Sequence, residues 1–299
     1  MPSPFLDVDG LPVPEDQILG NGGTALVIIR NELAVKMPLR YRWTSESDFN
    51  SHLSVIRKEQ EVYRRLQHSG RSCCHIVHCV NIYSNRTELA WMKHGDLRSF
   101  LTKNQPSRSQ KLSWYLAMAS GLAYIHSQRV LVADIASRNF LVDSDLSIKF
   151  CDFTESTLFP MDTDMGSVDD LGYTVELDIR LLAAVFYEVE TGEKCEVVLY
   201  KEDDPLDDRA CWPKRQFLPS TESLRIGPII ESCWKGEIRS ADALVRALTL
   251  LYHKTPKSRL EDQPVGFLSR LCTFSNSGPT MVFGLLATAA VLVWSKRGR

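Results

Sequence analysis

The residues able to do chemistry stand in one order along the chain. Leu19-Gly20-Asn21-Gly22-Gly23-Thr24-Ala25-Leu26-Val27 has the form G-x-G-x-x-A-x-V between two extended runs. Such a loop lets backbone N–H groups approach phosphate oxygens closely, although on its own it also reads as a plain hairpin. Ala34-Val35-Lys36 follows on the next run and sets an ammonium among apolar residues. A lysine so placed needs an anionic partner unless it snorkels to the surface. Glu59, on a charged helical stretch, has the right sign; the bland reading is a solvated glutamate. Asp134 and Asn139 are five positions apart in Asp134-Ile135-Ala136-Ser137-Arg138-Asn139, and Asp152-Phe153 comes just after another short apolar run. Phosphoryl transfer asks for this kit: a cation on the phosphates, oxygen ligands for a divalent metal, and a carboxylate to orient the acceptor hydroxyl. Each residue alone passes for a cap or turn; the ordered set does not.

Elements must hold these groups. Extended runs at 17–19, 26–30 and 33–37, broken by Gly20-Asn21-Gly22-Gly23 and Arg30-Asn31-Glu32, predict a β-meander. A charged helix is expected over about 45–67, with Val55, Val62 and Leu66 as its apolar stripe, then strands at 76–83 and 88–92. After Gly95 the character turns helical, with Leu112, Tyr115, Leu116, Ala119 and Ala123 on one face of a stretch ending near His126. A second helix is expected to open at Asp178 as N-cap, to present Ile179, Leu182, Ala183 and Phe186, and to stop at Thr191-Gly192. Between the two helices, two short apolar strands flank the polar chemistry, and the acidic stretches 162–170 and 202–208 read as solvated loops. Strands followed by helices give an α+β class.

Taken together, these motifs resemble the protein kinase superfamily over residues 17–251, in the manner of short kinase-like proteins of fungi. The resemblance implies a two-lobed fold, with a β-rich N-lobe over about 14–92 and a helical C-lobe over about 93–255. It implies ATP held by Gly20, Asn21, Gly22, Gly23, Val27, Ala34 and Lys36, with Glu59 as the lysine's ion-pair partner. Leu89-Ala90-Trp91-Met92 would form the hinge, Trp91 and Met92 lying beside the nucleotide. Asp134 would be the catalytic base, Arg138 the mark of a tyrosine-kinase-like catalytic loop, and Asn139 and Asp152 the ligands of Mg2+. Asp178 resembles the aspartate of the buried central C-lobe helix, and Cys233-Trp234 a late C-lobe pair. The chain also departs from the family. His-Arg-Asp is Val132-Ala133-Asp134, Asp-Phe-Gly is Asp152-Phe153-Thr154, and no Ala-Pro-Glu lies between Asp152 and Asp178. Without the arginine at Ala133, loop phosphorylation should not be the switch. Three readings follow: an active kinase acting on a protein hydroxyl, a nucleotide-binding pseudokinase serving as scaffold, and a small-molecule phosphotransferase.

Length and composition allow one large two-lobed domain or two small ones. The chain has 299 residues, 44% of them hydrophobic, and a formal charge of -2, which gives no drive toward nucleic acid. Eight cysteines form no C-x-x-C pair, so reduced cytosolic thiols are expected. Residues 256–278 read as a linker. From Leu271 to Ser295 no residue is charged, and Lys296-Arg297-Gly298-Arg299 follows. As a helix, 279–295 would rise roughly 25 Å, a short transmembrane span. The expectation is a C-terminal tail anchor in the mitochondrial outer or endoplasmic reticulum membrane, with the kinase-like domain in the cytosol; a core helix is the alternative.

Overall fold

The computed structural model describes residues 3–67, 73–200 and 209–253, all within one compact unit. The expected linker and tail anchor lie outside these residues; among them, no helix is long and apolar enough to cross a membrane.

The meander forms as expected. Strands β1 (Ile18–Asn21), β2 (Ala25–Arg30) and β3 (Leu33–Pro38) pair antiparallel, and β4 (Cys79–Ile82) and β5 (Thr87–Ala90) complete a sheet ordered β1-β2-β3-β5-β4. The last two strands are shorter than the runs 76–83 and 88–92. Ile76 instead makes a lone bridge to Phe150, and the chain leaves the sheet before Trp91. Strand β3 is buried on both faces. Val35 and Met37 pack with Val13, Leu26, Ile28 and Leu39 in a small cluster to which Phe5 and Val8 add. The other face carries Lys36, opposite Val27 on β2 and Thr87 on β5.

Helix α1 (Glu46–Leu66) starts where Ser45 accepts a bond from Asp48 N–H, with acids in its first turn and arginines in its last. The expected apolar stripe is corrected: Val55 is half-buried, and the buried face is Ile56, Glu59, Gln60, Val62, Tyr63 and Leu66. Gln60 is accommodated because its amide donates to Tyr83 O, Arg86 O and Thr87 Oγ1.

The remainder is mainly helical. A short α2 (Leu97–Lys103), capped by Asp96, precedes α3 (Arg108–Ser127). Helix α3 is buried around most of its circumference, not on one stripe: Trp114, Met118, Leu122 and Ile125 join Leu112, Tyr115, Leu116 and Ala119, while Ala123 is half-buried. At Gly121 an added Cβ would stand 2.9 Å from the Phe150 ring, so glycine lets α3 lie directly on that side chain. The segment between the long helices holds β6 (Val130–Leu131), β7 (Phe140–Val142), β8 (Ile148–Phe150) and β9 (Thr157–Leu158), more strands than expected. Helix α4 (Val175–Thr191) begins three residues before Asp178, capped by Thr174, and ends at Gly192 with φ 79°. Asp178 is therefore not an N-cap but a buried first-turn residue. Helices α5 (Gly227–Trp234) and α6 (Ala241–His253) close the described chain.

Candidate active site

The sheet, α1 and the β7–β8 hairpin bring the sequence-predicted residues into two adjoining groups. In the first, Lys36 Nζ stands 2.9 Å from Glu59 Oε1 and 2.8 Å from Oε2, with only Oε1 in a bonding direction. The same ammonium donates to Asp152 Oδ1 at 2.9 Å and to Thr154 Oγ1 at 3.2 Å. Burial works against the charge on Lys36, but the carboxylates of Glu59 and Asp152 outweigh it and raise its pKa above the ordinary lysine value. Burial likewise opposes the charge on Asp152, yet Lys36 and then the Thr154 hydroxyl lower its pKa below the usual carboxylate range. Glu59 Oε1 also accepts from Phe153 N–H at 3.0 Å, and the Phe153 ring stands edge-on to Tyr63 in the core. The strand, helix and Asp152 segment are thus joined at one carboxylate.

Thr154 puts a β-branched residue where glycine would permit unusual backbone angles. The positive φ falls instead on Asp152, at 58°, and Thr154 contributes its hydroxyl, which donates to Asp152 Oδ1. Nothing in the local sequence signals that contact.

The second group lies on the loop after β6. Hairpin pairing sets Phe140 opposite Phe150, and Cys151 N–H donates to Asn139 O at 3.0 Å, which places Asp152 beside Asn139. Asn139 Nδ2 donates to Asp134 O and to Asp134 Oδ2, both at 2.9 Å. Arg138 donates to both carboxylate oxygens of Asp134. Beneath them, Asp178 accepts from Val132 N–H at 3.0 Å and Ala133 N–H at 2.9 Å, and His126 Nε2 stands 2.8 Å from it. Ala133 adopts φ 66°. A left-handed non-glycine residue costs about 1–2 kcal/mol, and each bond to a charged acceptor contributes about 1.5–3 kcal/mol, so Asp178 suffices to hold the loop. His126 was missed at the sequence level because it lies at the end of an apolar helix, far from the motifs.

Gly20, Gly22 and Gly23 are exposed at the β1–β2 turn, and a Cβ added at any of them meets nothing within 4 Å. None has positive φ. Their value is open space above the loop, not backbone freedom. Asn21 is exposed, Val27 and Trp91 are half-buried, and Ala34 and Met92 are buried on the inner side of the sheet and just after it.

Two oxygens remain open in this arrangement. Asp152 Oδ1 is engaged while Oδ2 has no described donor, and Asn139 uses its amide nitrogen on Asp134 while Oδ1 accepts from no described residue. Lys36 with Glu59 and Asp152 leaves a net charge of -1. Hard oxygen ligands beside surplus negative charge suit a small divalent cation that takes its remaining ligands from phosphate and water. No cluster of three or more His, Cys, Asp or Glu suited to a metal occurs among the described residues.

Next to Asp134 a cavity of about 920 Å³ opens, walled by Asp134, Arg138, Glu155, Tyr173 and Tyr200 and floored by α4 residues including Val185. The hydroxyls of Tyr173 and Tyr200 are 2.8 Å apart. The short chain from Asp152 to Asp178 is the sequence signal that could have revealed this space.

A five-stranded antiparallel sheet with one helix carrying the lysine's glutamate, set on a helical part that presents an Asp/Asn loop, is the architecture of a protein-kinase-like fold. A family model described as protein tyrosine and serine/threonine kinase matches residues 30–172. The chain is 26% identical over 184 residues to the RGS domain-containing serine/threonine-protein kinase A of Dictyostelium discoideum, covering 56% of this chain and 16% of that protein. It is 24% identical over 223 residues to a probable serine/threonine-protein kinase of the same organism, covering 68% and 23%. Over 66 residues it is 41% identical to the discoidin domain-containing receptor tyrosine kinase B of Caenorhabditis elegans, covering 22% and 8%. The chain therefore spans less than a quarter of the length of these relatives. Over residues 30–172 it is similar to the protein kinase superfamily.

Proposed function

We propose that the chain is an ATP-dependent protein kinase, transferring the γ-phosphoryl group of Mg-ATP to a protein hydroxyl. The observation that carries this reading is the assembled cluster of Lys36, Glu59 and Asp152 next to Asp134 and Asn139. Lys36, oriented by Glu59, neutralises phosphate oxygens; the glycine loop gives its backbone N–H groups room to approach the phosphates. Asn139 and Asp152 offer the open oxygens for Mg2+, which when bound supplies charge neutralisation between the phosphates. Asp134, on the cavity side, would accept the acceptor hydroxyl's proton as the hydroxyl oxygen bonds to the γ-phosphorus and the bond from that phosphorus to the β-phosphate oxygen breaks, releasing ADP. Arg138 fixes the orientation of Asp134. Trp91 and Met92 border the space for the base.

The second reading is a pseudokinase that binds nucleotide and acts as a membrane-tethered scaffold. Its support is the lack of an Ala-Pro-Glu between Asp152 and Asp178 and the Thr154 hydroxyl bound to the carboxylate proposed to hold the metal. The tether rests on the apolar run 279–295, and the protein partner has no signal in the sequence.

The deciding measurement is transfer from labelled ATP to a protein mixture. Asp134→Asn is expected to slow transfer by about 10²–10⁴-fold with nucleotide affinity nearly unchanged. Wild-type protein that binds Mg-ATP and phosphorylates nothing, itself included, would establish the pseudokinase reading.

A further inference from the structure

The last turn of α1 carries two arginines in different surroundings. Arg64 is exposed and pairs with Glu61 on the same helix. Arg65 is half-buried and reaches away from its helix: its Nη1 donates to Gln128 O at 3.1 Å and to Phe159 O at 3.0 Å, with Met161 Sδ 3.3 Å away. Gln128 is the C-cap of α3, where carbonyls lack helical partners and a cation is favoured. Phe159 follows β9 directly, and its own N–H donates to Arg129 O at 2.9 Å. Both backbone groups of Phe159 are therefore engaged, one by the chain before β6 and the other by α1.

An independent contact makes Arg65 more than a helix cap. The same α1 holds the beginning of this segment, because Glu59 Oε1 accepts from Phe153 N–H at 3.0 Å and from Lys36 at 2.9 Å. Residues 153–159 are thus gripped at both ends by two side chains of one helix. Between the grips, Ser156 donates to Val132 O at 3.2 Å and Thr157 pairs with Leu131, which ties the segment to the strand leading into Asp134. All of these holds use groups that the unmodified chain carries, and Ala133 offers no cation that could receive a phosphate.

We propose that Arg65 is a positioning residue: it couples the segment after Asp152 to α1, so that Glu59 and Asp152 stay on Lys36 without any modification of the segment. One guanidinium nitrogen suffices for the task, since it carries two hydrogens and faces two carbonyls. The coupling stands on the geometry; its consequence for phosphoryl transfer rests on the kinase reading above.

The test is native-state hydrogen exchange on the full chain without nucleotide, reading the amides of Phe153 and Phe159 against that of Leu122, a buried residue of α3. Arg65→Gln should speed exchange at Phe153 and Phe159 by roughly tenfold or more and leave Leu122 nearly unchanged. Arg65→Lys should restore most of the protection, because an ammonium also offers a hydrogen to each carbonyl. Two controls separate coupling from general loosening. Arg64→Gln removes a charge from the same helical turn, and Tyr124→Phe removes another tie between α3 and α1, the 2.6 Å bond from the Tyr124 hydroxyl to Leu66 O. Neither should move Phe153 relative to Leu122. No acceleration at Phe153 in Arg65→Gln, equal acceleration of all three amides, or the same pattern in Tyr124→Phe would overturn the proposal. In transfer from labelled ATP, kcat should fall roughly ten- to a hundredfold in Arg65→Gln and recover in Arg65→Lys. An active wild type whose kcat survives Arg65→Gln would overturn the positioning role. A wild type that transfers nothing while the exchange pattern is as expected would uphold the coupling and refute the kinase reading alone.

Discussion

Replacing Lys36 by methionine removes one charge from a site that holds three. The methionine fills most of the same space, so packing changes little. Glu59, 1% exposed, is left with only the Phe153 N–H, whereas Asp152, 44% exposed, can rehydrate. Breaking a buried pair by deleting one partner costs about 3–5 kcal/mol. The penalty has a ceiling, because the stranded carboxyl can take a proton. From the ordinary glutamate value, that costs about 3.7 kcal/mol at pH 7 and about 1 kcal/mol at pH 5. Lys36→Met should therefore destabilise the folded chain by about 3–4 kcal/mol near pH 7 and by about 1 kcal/mol near pH 5. The sign follows from proton binding: near neutral pH the folded variant takes up a proton that its unfolded chain does not, so its deficit shrinks as pH falls. Adding Glu59→Gln should restore most of the loss at pH 7, since the amide carries no charge and still accepts from Phe153. Urea unfolding of wild type, single and double variants at both pH values is the assay. A deficit that does not shrink with acid, or a double variant less stable than the single, would refute the reasoning.

Thr154→Ser should keep stability within about 0.5 kcal/mol, and Thr154→Ala should lose about 1–2 kcal/mol, because the hydroxyl bonds a carboxylate and receives from Lys36; equal losses in both would remove that role, again by urea unfolding. Burial, and then the like charge of Lys149, lower the pKa of His75 to about 4. Folding thus favours the neutral ring: its contribution is intact above about pH 6.5 and is lost as pH falls toward 4, by up to about 3 kcal/mol. His75→Gln should flatten the stability profile across that window, and an unchanged slope would assign the acid loss elsewhere. For the tail, alkaline carbonate extraction should leave the full chain with membranes and release a version ending at Gly278; both chains soluble and equally stable would end the anchor proposal.

Much of this protein was legible from residue types and their order. The meander, the limits of α1 and the stop at Gly192 follow from local rules: turn residues between extended runs, a serine cap, and a residue that accepts a left-handed backbone. The set of candidate residues was legible for a related reason, since the proposed phosphoryl transfer would constrain which side chains are present and in what order along the fold. What the sequence could not decide were roles set by non-local contacts. Glu59 and Gln60 look like solvent-facing helix residues until the sheet covers them, and Asp178 looks like a cap until its helix is seen to begin a turn earlier. Thr154 looks like a defect until its hydroxyl is found on Asp152. His126 and Asp178 come from separate parts of the chain and share a site only after the helices pack. A hydrogen bond or a cluster of like charges depends on positions to within an ångström; periodicity and composition fix which face of an element is apolar, and the distance across the core is fixed only by packing.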